Sequence, residues 1–250
     1  MSVYNEIDYD GRVQRAAECL GAAHDVTLFA VNSHLGYSNP LYRLRTVTLS
    51  WLGQSGLLRY AYFCAVLVIA ALRRRPHVIY AHDYFTAWPS RICAALTGGV
   101  LIYDAHELII PEEGIKMGRR EALFYRLEKL TLPRAALIIS ANSERAGYMQ
   151  RHYGLAETPL AIHNIAPVPQ DRPGPDEALS RYPALRRSRN DLVRLVFQGF
   201  LSGNRGVVES VVALAQLPEH FELVLVGGGP SADVAAIREA VEKHDVGQRT

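Results

Sequence analysis

The sequence predicts an α/β fold of two units with parallel sheets, the second unit incomplete, and three observations carry that prediction. Short apolar runs rich in Val, Ile and Tyr recur along the chain, each too short for a helix and suited to a strand buried on both faces. Segments of helical periodicity, closed by glycine or proline, separate them. A stretch holding Pro167, Pro169, Pro173, Gly174, Pro175 and Pro183 then interrupts the alternation, which resumes for two further strand–helix pairs. The expected boundaries are 1–166 for the first unit, 167–191 for a proline-rich linker and 192–250 for the second.

The centre of the first unit runs from Val78 to Glu107. Strands at Val78–Ala81 and Val100–Tyr103 flank a helix through Ala87–Leu96, which Gly98-Gly99 stops. Such a βαβ unit crosses over right-handed, so both strands point the same way. The first ends in His82-Asp83 and the second in Asp104-Ala-His106-Glu107. Ligands of open α/β sheets bind outside the carboxyl ends of the strands. These five ionisable side chains are therefore the candidate site.

Around that centre the other elements follow in order. Asp10 is placed to cap a helix over Val13–Leu20 that Gly21 ends, with only Met1–Tyr4 before it. The first strand is then either very short or lost with an N-terminal segment. Val26–Val31 reads as a strand, 32–39 as a loop, Arg45–Leu49 as a strand and Gly56–Arg75 as an apolar helix. A charged loop, Ile109–Gly118, precedes a helix over Arg119–Leu132. Strands Ala136–Ser140 and Leu160–His163 flank a helix that starts at Asn142-Ser143-Glu144 and stops at Gly154. In the second unit, strands Val193–Gln198 and Phe221–Val226 alternate with helices Val207–Leu217 and Ala232–His244. An open sheet edge and an unmatched helix face are why this unit reads as cut short.

Composition narrows the class. An apolar fraction of 49% and a charged fraction of 21% suit a soluble globular protein. A net charge of +2 is too small to imply nucleic acid, and no nucleic-acid-binding motif is present. Cys19, Cys64 and Cys93 are widely spaced among apolar residues and read as reduced core thiols of a cytoplasmic protein. The apolar run Tyr60–Leu72 is too short to span a bilayer by itself and is closed by Arg73-Arg74-Arg75. It reads as a buried helix with a basic last turn, or as a helix in peripheral contact with the inner face of a membrane. Arg43, Arg45, Trp51 and Arg59 keep the second reading open.

Two glycine-rich loops follow the strands of the second unit. Gly199 to Gly206 includes Arg205, whose guanidinium fork matches phosphate oxygens, while its glycines expose backbone N–H groups. Gly227-Gly228-Gly229-Pro230 opens the next helix, again suiting an anion. With Ser231-Ala232 it also spells a dinucleotide fingerprint, but in the second strand–helix turn of its unit and with no acidic strand end after it.

The order of these words resembles retaining glycosyltransferases of the GT-B fold, in the large family 4 group. Asp10-Gly-Arg12-Val13 with His24-Asp-Val26-Thr27, Ala81-His82-Asp83, Asp104-Ala-His106-Glu107, Ala136 to Glu144, Ile162-His-Asn164, Phe197-Gln-Gly199 with Asn204-Arg205-Gly206, and Leu225 to Pro230 carry it. The resemblance implies two Rossmann-like domains, His106 beside the sugar and His82 near it, with Asp83, Asp104 and Glu107 on the acceptor side. It also implies that Gly199, Arg205, Gly206, Gly227 and Gly229 hold the donor diphosphate. A cleft between the domains would bring His106 opposite Arg205. The substrates implied are a nucleotide-diphosphate sugar and an acceptor of glycan or lipid-linked type, with retention of configuration and neither metal nor cofactor. Phe200 stands where the family carries an arginine. The family's paired glutamates have no counterpart here, so the 250 residues alone are expected to be inactive or nearly so.

Two other readings follow from the same residues. His82, Asp83, Asp104 and His106 have the composition of a metal-dependent hydrolase site, although neighbours on a strand point to opposite faces and need not converge. The absent glutamates also suit a non-catalytic, glycosyltransferase-like binding protein.

Overall fold

A computed structural model describes residues 1–32, 39–53, 55–111, 116–165 and 192–250, together with Gly174, Glu177 and Ser180. Most of the expected linker at 167–191, and parts of the two expected loops (33–38 and 112–115), lie outside the described residues. The chain divides into Met1–Pro167 and Val168–Thr250.

In the first unit seven strands form one parallel sheet. They are β1 (Ser2–Val3), β2 (Val26–Val31), β3 (Tyr42–Val47), β4 (Val78–His82), β5 (Val100–Ala105), β6 (Leu137–Ser140) and β7 (Leu160–Ala161), in the order β3-β2-β1-β4-β5-β6-β7. Chain order reverses at β1, and that is where doubly wound sheets open a crevice at their carboxyl edge. The first strand is the very short one: Ser2 and Val3 alone bridge β2 and β4. β3 begins three residues before the predicted Arg45, because its register with β2 runs from Val26↔Tyr42 to Val31↔Val47. Leu49 lies beyond it, its N–H held by Asn32 Oδ1 at 3.0 Å.

Five helices cover the sheet: α1 (Gly11–Gly21), α2 (Gly56–Arg74), α3 (Tyr84–Thr97), α4 (Arg119–Thr131) and α5 (Ser143–Tyr153). Their starts are capped by side chains where the sequence offers them. Asp10 accepts from the N–H of Val13, Ser55 from Leu58 and Asn142 from Arg145. Gly98 and Gly154, both at positive φ, end α3 and α5. Pro89 sits inside α3 and has no N–H for the carbonyl of Phe85; Tyr60 Oη of α2 donates to that oxygen instead, at 2.8 Å.

The two faces of the sheet carry separate cores. Val13 and Ala17 of α1 pack with Val26, Leu28 and Ala30 on one. Phe63, Leu67 and Ala71 of α2 and Ala87 and Cys93 of α3 pack with Ile79, Ala81, Leu101 and Tyr103 on the other. Two sequence expectations change here. Cys19 is exposed and Cys64 only half-buried, so Cys93 alone is a core thiol. And α2 is not a buried helix: one stripe enters the core, and 17% of its most apolar window is buried.

The second unit holds a two-stranded parallel sheet, β8 (Val193–Gln198) with β9 (Phe221–Val226), and helices α6 (Val207–Leu214) and α7 (Ser231–Lys243). Val207, Val211, Leu214, Leu223 and Ile237 form its core.

Candidate functional site

The period of two along a strand builds the site of the first unit. On β4, Ile79 and Ala81 face the α2–α3 core, so Tyr80 and His82 face the α1 side. On β5, Leu101, Tyr103 and Ala105 do the same, which turns Asp104 and the following His106 towards α1. The parallel register sets His82 directly opposite Asp104. The three side chains therefore converge, contrary to the expectation that they need not.

Their geometry is tight. His82 Nδ1 lies 3.1 Å from His106 Nε2, and Asp104 Oδ2 is 3.4 Å from the first and 3.6 Å from the second. Two nitrogens that close hold one proton between them, and the carboxylate stabilises whichever ring carries it. Arg12, on the first turn of α1, grips Asp104 with a two-pronged contact, Nη2 to Oδ1 at 2.5 Å and Nε to Oδ2 at 3.1 Å. Its remaining nitrogen donates to the carbonyl of Ile162 at 2.8 Å. Tyr80 Oη donates to Asp104 Oδ2 at 3.3 Å. Arg145 of α5 donates to the backbone carbonyl of His106 at 2.8 Å, which fixes the loop carrying that ring.

Charge follows from these contacts. Burial works against ionisation of Asp104, but His106, His82 and Arg12 together hold its carboxyl well below the usual carboxylate range. Burial pushes the His82 imidazole down to about 4, so it is neutral at pH 7, and its Nε2 has no partner. His106 is the ring that reaches the surface: its side chain is 15% exposed and its Nε2 turns inward, leaving Nδ1 for a ligand. The arrangement is a buried carboxylate behind an accessible imidazole, suited to accepting a proton from a hydroxyl or donating one to a sugar oxygen.

The other predicted residues sit apart from this cluster. Asp83 belongs to the opposite alternation and has φ +65°, a conformation that costs a non-glycine residue about 1–3 kcal/mol. Its N–H donates to the carbonyl of Asp104 at 2.8 Å, its Oδ1 is buried without a partner, and burial pushes its carboxyl up to about 6. Glu107 is exposed and lines an open groove of about 340 Å³ with Tyr84, Ile110 and Met117. Arg12, Tyr80 and Arg145 carried no local signal as site residues; Arg12 stood out only as part of the word that opens α1.

His82, Asp104 and His106 also place three ligand atoms within 4.8 Å of one another, the constellation a metal would need. Arg12 opposes that use, because a guanidinium already occupies both oxygens of the carboxylate, and His82 is fully buried.

In the second unit the two glycine loops are laced together. Gly199 N–H donates to the carbonyl of Val226 at 3.0 Å, and Leu201 N–H to that of Gly228 at 2.9 Å. A Cβ on Gly227 would stand 1.8 Å from the Gly199 oxygen, and one on Gly229 1.9 Å from the Leu201 oxygen. Gly206, at φ +69°, opens α6, and Arg205 beside it is exposed. Neither α6 nor α7 has a side-chain cap. Among the described residues no side chain takes up their first N–H groups, which lie at the carboxyl edge of the sheet, where an anion is favoured.

The sequence model of the family described as "Glycosyl transferase 4-like domain" matches residues 11–165. The chain belongs to the glycosyl transferase 4-like family. The match spans α1 to β7 and so includes the whole Arg12, His82, Asp104 and His106 cluster of this glycosyl transferase 4-like chain. No curated protein sequence matches it. Among solved structures it is similar to Anabaena HepE in complex with UDP and glucose, with a TM-score of 0.71 and 15% identity over 99% of this chain and 66% of that one. It is also similar to sucrose-phosphate synthase from Thermosynechococcus elongatus, with a TM-score of 0.70 and 18% identity over 95% of this chain and 62% of that one. The chain thus spans under two thirds of either protein. At these identities the likeness shows the fold alone, GT-B-like, with parallel α/β units.

Proposed function

We propose that this protein transfers a sugar from a nucleotide-diphosphate sugar to an acceptor hydroxyl, with retention of configuration. The observation that carries the reading is the Arg12–Asp104–His106 arrangement within a glycosyl transferase 4-like domain. In the reaction the bond from the anomeric carbon to the diphosphate breaks, one to the acceptor oxygen forms, and the acceptor proton passes to an oxygen of the departing diphosphate. His106 would meet the sugar, hydrogen-bonding it through Nδ1. Asp104 and His82 would set the charge and orientation of that ring. Arg205, with the N–H groups opening α6 and α7, would stabilise the departing diphosphate. Asp83 and Glu107 would lie towards the acceptor, whose proposed class is a glycan or a lipid-linked sugar in the cytoplasm. No step in this scheme requires a metal.

The HepE structure holds UDP and glucose, which makes UDP-glucose the first donor to try. Binding of UDP measured by calorimetry, and release of UDP from UDP-glucose and other nucleotide sugars, test the reading. His106→Ala should abolish release while UDP still binds, and Arg205→Ala should weaken UDP binding. Release unchanged in His106→Ala would overturn the role of the imidazole. The 250 residues alone should release little or nothing, so release and its loss in His106→Ala are read on a longer version that supplies the paired glutamates. UDP binding by that version with no release from any donor would favour the non-catalytic binding protein instead.

A further inference from the structure

The outer face of α2 carries a stripe that the described residues of the first unit leave exposed. Leu58, Tyr62, Ala65, Ile69 and Leu72 recur at helical spacing, and all are exposed; Leu58 is 58% exposed, Ile69 48% and Leu72 49%. Trp51, 64% exposed, extends the stripe by setting its ring edge against Tyr62. No charged residue interrupts the helix between Arg59 and Arg73. Arg45, Arg73 and Arg74 line one open groove together with Ile69, and Arg75 follows them. Arg74 donates to Thr27 Oγ1, a neutral partner, so its charge is not cancelled. Arg43 is paired with Asp25 and adds little.

The surrounding charge is one-sided. Between Val26 and His82 the chain has six arginines and none of its 25 acidic residues. The helix packed beside α2 is α3, which carries no Asp or Glu either. An apolar stripe bordered by Arg45, Arg73, Arg74 and Arg75, where the one adjoining carboxylate, Asp25, is already paired with Arg43, is complementary to an anionic lipid surface, with the stripe in the acyl boundary and the guanidinium groups at the headgroups. The helix is long and apolar enough to cross a bilayer. Phe63, Leu67 and Ala71 on its inner side are, however, locked into the sheet's core, so it lies on the surface rather than spanning it.

We propose that Trp51 and the outer face of α2 from Leu58 to Leu72, with Arg45, Arg73, Arg74 and Arg75, seat this protein on an anionic membrane. The proposal is independent of the transfer reaction and places any acceptor chemistry at the lipid surface. Its test is flotation of the 250-residue chain with phosphatidylcholine vesicles, with or without phosphatidylglycerol, in the absence of any sugar nucleotide. Binding should require phosphatidylglycerol and weaken at high salt. Arg73→Glu with Arg74→Glu should weaken it roughly tenfold or more, and Ile69→Ser with Leu72→Ser should abolish it, with circular dichroism unchanged. Tryptophan emission should shift to the blue on binding, and Trp51→Phe should remove that shift while Trp88 remains. Absence of binding, or equal binding to both vesicle types, would overturn the proposal. So would a concentration-dependent dimer that the Ile69 and Leu72 changes dissolve, because a second copy would then cover the face.

Discussion

Arg12 and Asp104 stand 92 residues apart in the chain and form a two-pronged ion pair of 2.5 and 3.1 Å, with side chains 9% and 2% exposed. The pair ties the first turn of α1 to the carboxyl end of β5 and holds the carboxylate on which both histidines converge. Removing one partner strands a buried charge, which costs about 3–5 kcal/mol. Arg12→Ala should destabilise the first unit by that order. Both tryptophans, Trp51 and Trp88, lie in that unit, so urea unfolding followed by tryptophan fluorescence reads it separately. Arg12→Lys, a single-point cation in place of a fork, should recover part of the stability.

His82 ties stability to acid. Its pKa in the folded chain is pushed down to about 4 by burial, against 6.5 when free. Below about pH 6.5 the unfolded chain therefore binds the extra proton first, and stability should fall progressively towards pH 4. His82→Gln should flatten that slope in fluorescence-monitored unfolding between pH 4 and 6.5, while retaining the fold. An unchanged slope would mean that His82 is not buried neutral.

Glu128 acts with the opposite sign. It is 1% exposed on α4, and the hydroxyls of Tyr103 and Tyr153 donate to its two oxygens. Burial pushes its carboxyl up to about 7 from 4.5. The folded chain keeps that proton where the unfolded chain has lost it, so this contribution is full below pH 4.5 and is lost as pH rises towards 7. Glu128→Gln should make the first unit relatively more stable at pH 7.5 than at pH 5, compared with the parent, in the same fluorescence assay.

Gly227 should tolerate no side chain. A Cβ there would stand 1.8 Å from the Gly199 carbonyl oxygen, at φ +155°. Gly227→Ala should separate the two loops and destabilise the second unit by roughly 2 kcal/mol or more. Gly203→Ala, whose Cβ would meet only Asp233 Oδ1 at 3.5 Å, should stay within about 0.5 kcal/mol. Hydrogen exchange of the β8 and β9 amides distinguishes the two outcomes.

The local chemistry of the chain was enough to predict β4, α3 and β5, the cap at Asp10, the helix start at Asn142-Ser143-Glu144, and the stops at Gly98 and Gly154. Strand runs, capping side chains and left-handed glycines act within a few residues of themselves. His82, Asp104 and His106 could be picked out because adjacent parallel strands end together. Their convergence was not legible, since it depends on which alternation faces α1, and that is set by what Ile79, Ala81, Leu101 and Tyr103 bury against. Arg12 and Arg145 had no local signature because their partners are brought to them only by closure of the sheet. The outward stripe of α2 was hidden for the same reason. Hydropathy marks Tyr60–Leu72 as apolar all round, and only packing decides that Phe63, Leu67 and Ala71 go inward while Leu58, Tyr62, Ile69 and Leu72 remain outside. Sequence by itself determined the elements, their order and the residue types at the sheet edge. Tertiary structure decided which of those side chains meet, because burial is a property of the assembled faces and not of any one segment.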